Sequence, residues 1–151
     1  MFNFGENIII QKKQYHTKLK QMQLDYIENI NAYGDNIVRL YDFDRKQADK
    51  FMKLLIQSII KNKKQMDLST INFIESRNCS LILRISDEDF GIITDDNENF
   101  FCDMTIKSYK HIIKLIEPFC LKETKAHQFL YDVDSLTDFL FSPAGTLEED
   151  N

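Results

Sequence analysis

The stretch DLSTINFIESRNCSLILRISDEDFGIITDDNENFFCD, residues 67–103, decides the fold class. Leu81, Leu83 and Ile85 recur at every second position, with Ser80, Ile82 and Arg84 between them. Successive side chains of a strand point to opposite faces, so this alternation predicts a half-buried strand. Ile71 and Phe73, with Ser69, alternate in the same way before it, and residues 90–94 and 100–103 are β-rich after it. Polar turns, Ser86-Asp87-Glu88-Asp89 and Asp95-Asp96-Asn97-Glu98-Asn99, separate these segments. Short strands in series joined by tight turns are expected to pair as an antiparallel meander.

Outward from this stretch the period changes. Ala48, Phe51, Met52, Leu55 and Ile59 form a helical stripe over 45–62. Asp44 stands at its N-cap with Gln47 as reciprocal partner, and Lys61, Lys63 and Lys64 stand at the end that favours cations. Residues 36–43 (NIVRLYDF) predict a strand. Over 11–33, Tyr15, Leu19, Met22, Tyr26, Ile27 and Ile30 fit one helical stripe, with Gly34 where a left-handed C-cap belongs. A strand through Met22, Leu24 and Tyr26 explains fewer of these residues.

Downstream, Thr105 caps a helix with Tyr109, Ile112, Ile113 and Ile116 inward, Lys107, Lys110 and Lys114 outward, and Pro118 at its end. A strand over 127–133 follows, with Phe129, Tyr131 and Val133 on one face. Ser135 and Asp138 cap a last helical turn, or 135–141 forms an edge strand. The expected fold is a single α+β domain over 1–151, frayed at about 1–10 and 143–151. Its sheet is mostly antiparallel, a meander of four strands plus two further strands, with about three helices packed on one side.

Composition narrows the functional classes. The chain has 151 residues, is 43% hydrophobic and 28% charged, and so fits neither a disordered tail nor a membrane protein. No apolar run exceeds three residues, as at Ile8-Ile9-Ile10, against the roughly 20 needed to span a bilayer. At the N-terminus apolar residues precede basic ones, the reverse of a signal peptide. Cys79, Cys102 and Cys120 are odd in number, with no CxxC and no histidine at a zinc-finger interval. A cytoplasmic protein with buried or inert thiols is expected.

No arrangement fixes a catalytic, cofactor or metal site. Asp95, Asn97 and Asn99 mimic the start of a calcium loop, but Phe100 replaces its glycine and Ile106 its bidentate glutamate. Acid–base catalysis needs a carboxyl in an apolar pocket, whereas these acids lie in turns built from Asp, Asn and Glu. Asp42 and Asp44 flank Phe43 at a strand end, and Asp44 already serves as a cap. Cys102, ahead of a helix that carries His111 and beside Asp103, is the best nucleophile on offer, although a free cysteine more often points into the core. His16, His111 and His127 are isolated. No GxGxxG or GxxxxGK[ST] occurs, so no nucleotide cofactor is expected.

Charge is the feature that bears on partners. Residues 1–64 carry 12 Lys/Arg against 7 Asp/Glu, and residues 65–151 carry 7 against 17. Lys12, Lys13, Lys18, Lys20 and the Lys61–Lys64 run could track phosphates, but the net charge of −5 and the shortage of arginine disfavour nucleic acid. The favoured expectation is a non-enzymatic interaction domain that meets another, basic protein. Asp87, Glu88, Asp89, Asp95, Asp96 and Glu98 would form its contact surface, as in a bacterial inhibitor or immunity-type protein. Phe139, Leu140 and Phe141 are candidate anchors or core residues. The alternatives are an enzyme or small-ligand protein whose site assembles only in three dimensions, and a subunit of a homo-oligomer.

Overall fold

The protein is described from a computed structural model over residues 20–31, 34–133 and 136–145. Among these residues the chain is α+β, with nine strands in two mixed sheets and two α-helices. The first sheet has the order β4 (Ile74–Ser76), β1 (Met22–Ile27), β2 (Asn36–Tyr41), β9 (Thr137–Ser142), β8 (Gln128–Tyr131). The second has the order β3 (Met66–Asp67), β5 (Ser80–Ile85), β7 (Asn99–Met104), β6 (Gly91–Thr94). Helices α1 (Arg45–Leu55) and α2 (Ile106–Leu121) pack against each other. Both helices and both sheets contribute to one cluster of buried side chains.

The local signals that rest on polar chemistry hold. Asp44 accepts from the Gln47 backbone N–H at 2.8 Å, and the Gln47 side chain accepts from the Asp44 N–H at 3.0 Å. Thr105 Oγ1 accepts from Ser108 N at 3.1 Å at the start of α2. Ala48, Phe51 and Leu55 face the core, as does Ile59 in a π-helical continuation, Ile56–Lys61.

The helix expected over 11–33 is corrected where it can be described. Met22–Ile27 is a strand, and residues 11–19 lie outside the described residues. Leu24, the residue the helical stripe left out, is fully buried beside Met22 and Tyr26. Pairing decides between the two periods: β2 supplies an antiparallel partner whose Arg39 meets Asp25 at 2.6 Å. Gly34 does take positive φ (+79°), but in the β1–β2 connection and not at a helix end.

The meander is also corrected. β5 and β6 are not neighbours, because β7 lies between them, parallel to β5 and antiparallel to β6. The parallel register buries Leu81 beside Phe100 and Leu83 beside Cys102, and it sets Arg84 opposite Asp103 in a two-pronged ion pair of 2.6 and 2.7 Å. Parallel pairs β1/β4 and β2/β9 make the first sheet mixed as well. The strand expected at Ser69–Phe73 is replaced by a 3₁₀ turn, Leu68–Thr70, because the Asp67 side chain accepts from Ser69 N.

Pro118 lies inside α2, whose last turn continues to Leu121. The proline sits on the exposed face, while Phe119 and Cys120 beyond it are buried and hold the turn in place. Residues 137–142 form an interior strand, neither a helical turn nor an edge. Its Phe141 stacks on Phe43 at 4.0 Å between centroids and meets Phe119 edge-on at 5.2 Å. The segment after it is tied at its start, since Ala144 N donates to Phe43 O at 2.9 Å. No helix among the described residues is long and apolar enough to cross a membrane.

Candidate functional site

The two acidic turns lie at opposite ends of β6. Gly91 opens that strand opposite Asp103, and Thr94 closes it opposite Phe100. Its four residues, at about 3.4 Å each, put roughly 13 Å between the turns. Asp87, Glu88 and Asp89 therefore stand in the turn before β6, and Asp95, Asp96 and Glu98 in the turn after it.

Two of these carboxylates hold the fold. Asp89 accepts from Thr105 N at 2.8 Å and from Ser108 Oγ at 2.6 Å, which tethers the 86–90 turn to the first turn of α2. Burial pushes the Asp89 carboxyl up, but these hydrogen bonds and the charge of Lys107 outweigh it and leave it below the usual carboxylate range. Asp96 accepts from the N–H groups of Asn99 (2.8 Å) and Glu98 (2.9 Å) and from the Asn99 side chain. Those bonds depress its carboxyl further. Asp87, Glu88, Asp95 and Glu98 are exposed.

The 86–90 turn forms part of the rim of a cleft of about 810 Å³ between α2, β8 and the start of β6. Ser108, His111 and Leu115, spaced three and four apart, present one face of α2 to it. Gln128 to Val133 form the opposite wall, and Met104 and Leu130, both buried, lie beneath. Phe90 is 54% exposed and Val133 60% exposed, so both present apolar surface at the cleft. Among the described residues, Asp89 and Asp132 are the formal charges in the lining.

β8 is the edge strand of its sheet, and its pairing with β9 slips between Phe129 and Tyr131. Such a bulge bends an edge strand and interrupts its ladder, which disfavours continuous pairing with a further strand.

The other candidate residues are placed in structural surroundings. Cys102 is fully buried, its Sγ 3.3 Å from Met104 Sδ, and burial pushes its thiol up to about 12. Burial likewise raises Cys79 to about 12 and Cys120 to about 11. A thiol is nucleophilic as the thiolate, so these environments oppose catalysis. Asp103 is bound to Arg84, whose guanidinium also lies 3.9 Å over the Phe101 ring. His111 reaches the cleft, His127 packs edge-on against Phe129 at 5.8 Å, and His16 lies outside the described residues.

Asp42 pairs with Lys20 at 2.9 Å. Phe139, Leu140 and Phe141 are core residues. Among the described residues no three His, Cys, Asp or Glu side chains gather as metal ligands.

The cleft leaves little trace in the sequence. Its one local signal is Phe90, a large apolar residue directly after three acids. The wall it faces comes from residues more than 35 positions later in the chain. No protein-family model matches the chain, and none of the curated proteins matches it.

Proposed function

We propose that this chain is a non-enzymatic protein-interaction domain, of the inhibitor or immunity type, that meets a basic partner through its acidic 87–90 turn. The observation that carries this reading is the juxtaposition of Asp87, Glu88 and Asp89 with Phe90, half-exposed at the mouth of a cleft. Charge steers the encounter, and a desolvated aromatic anchor supplies most of the binding energy in interfaces of this kind. The structural duties of Asp89 and Asp96 leave Asp87 and Glu88 in one turn, and Asp95 and Glu98 in the other, as the side chains a partner would read.

Paired captures test it. The wild type and Asp87→Lys/Glu88→Lys would be compared at low and high salt, with Asp95→Lys/Glu98→Lys for the second turn. A partner held stoichiometrically at low salt, and lost both at high salt and on reversal of 87 and 88, is the expected result. Retention that neither reversal changes would refute the acidic interface.

A further inference from the structure

We infer that the cleft between α2 and β8 is a docking site for a short basic segment of a partner protein, which inserts an apolar side chain between Phe90, Leu115 and Val133. This rests on the interaction reading above and assigns it a pocket and a partner chemistry.

Four features select this occupant. The volume, about 810 Å³, lies within the range of roughly 300–1,000 Å³ that holds a compact ligand or a few residues of chain. The walls mix apolar side chains (Met104, Leu115, Leu130) with polar ones (Ser108, His111, Gln128), and Phe90 and Val133 stand half-exposed at the opening as its apolar contacts.

Among the described residues the formal charges lining the cleft are both acidic, Asp89 and Asp132, with Asp87 and Glu88 adjacent on the same turn and no lysine or arginine in the lining. Lys107 approaches Asp89 from α2 and offsets part of this charge without lining the cleft. An acidic rim favours lysine or arginine beside the inserted residue and repels an acidic sequence. The bulge in β8 interrupts the edge ladder, so recognition falls to side chains and not to an added strand.

The probes are two synthetic peptides, acetyl-Lys-Phe-Lys-Leu-Lys-amide and its inverse, acetyl-Glu-Phe-Glu-Leu-Glu-amide, titrated into the ¹⁵N-labelled full chain. The basic peptide is expected to move the amide signals of Phe90, His111, Leu115 and residues 128–133, with half-saturation below about 1 mM and at least about tenfold tighter than the acidic one. Phe90→Ala, at a position exposed enough to leave folding intact, should weaken it about tenfold.

Equal binding of the two peptides, shifts that map elsewhere, or no shift at several millimolar would overturn the assignment. So would phenethylamine binding as well as the basic peptide, which would make the cleft a small-ligand site. Failure here with a salt-sensitive partner that still requires Asp87 and Glu88 removes the cleft and leaves the interaction reading standing. Peptide binding with no capture sensitive to the acids does the reverse.

Discussion

The ring of Tyr131 lies directly against the α-carbon of Gly91. A Cβ built on Gly91 would approach Tyr131 Cδ2 to 2.7 Å, and Gly91 itself holds a φ of +74°. The two residues belong to the edge strands of different sheets, so this contact joins the sheets beside the cleft. Gly91→Ala meets both the left-handed backbone and the ring, and it should cost about 2 kcal/mol or more in denaturant unfolding. In a Tyr131→Ala background the steric part disappears. The double-mutant cycle is therefore expected to show a favourable coupling for the second substitution, and strict additivity would contradict the contact.

Asp89 ties the acidic turn to α2, and its depressed pKa makes the tie pH-dependent. A carboxylate whose folded pKa lies below its unfolded value of about 3.9 adds stability that is fully present above that value and is lost as pH falls through the folded one. Asp96 acts with the same sign in the other turn. Asp89→Asn should lower stability by about 1 kcal/mol at neutral pH and flatten its fall below about pH 4. Urea unfolding of wild type and variant across pH 2.5–7 checks this, and an unchanged acid limb would count against it.

The three thiols should be silent in the folded protein. Cys102 is fully buried, with its thiol raised to about 12, so at pH 8 it is protonated as well as enclosed. Ellman's reagent is expected to react slowly at all three sites in native buffer and at once in guanidinium. Fast native labelling of Cys102 would reopen the nucleophile reading.

Ser142, in the interior strand β9, buries its hydroxyl oxygen without a hydrogen-bond partner among the described residues. Removing an unsatisfied buried polar atom of nearly constant volume offsets its desolvation cost. Ser142→Ala should stabilise the chain by up to about 1 kcal/mol, read as a higher denaturation midpoint at unchanged slope. A loss of stability would mean that the hydroxyl has a partner.

What the sequence made legible was set by range. Asp44 with Gln47 and Thr105 with Ser108 are contacts across three positions, and the residues alone announce them. Strand β5 was legible because Leu81, Leu83 and Ile85 alternate without a competing period. Met22, Leu24 and Tyr26 alternate too, but neighbouring apolar residues also fit a helix, and only pairing with β2 selects the strand.

Sheet order was hidden for the same reason: nothing local to residues 80–104 says that β7 inserts between β5 and β6. The acidic turns were legible as turns, and so was the short strand between them; that the first of them packs on α2 through Asp89 was not. The cleft depended on where α2 and β8 come to rest.

The most direct test of the central claim is the association rate constant with the captured partner, measured from about 20 to about 500 mM salt for the wild type and for Asp87→Lys/Glu88→Lys. The expected result is a wild-type on-rate that falls at least about tenfold across that range, and a variant whose on-rate is low and nearly flat, with dissociation little changed. An on-rate that is the same for both proteins at every salt concentration would contradict the acidic turn as the contact surface.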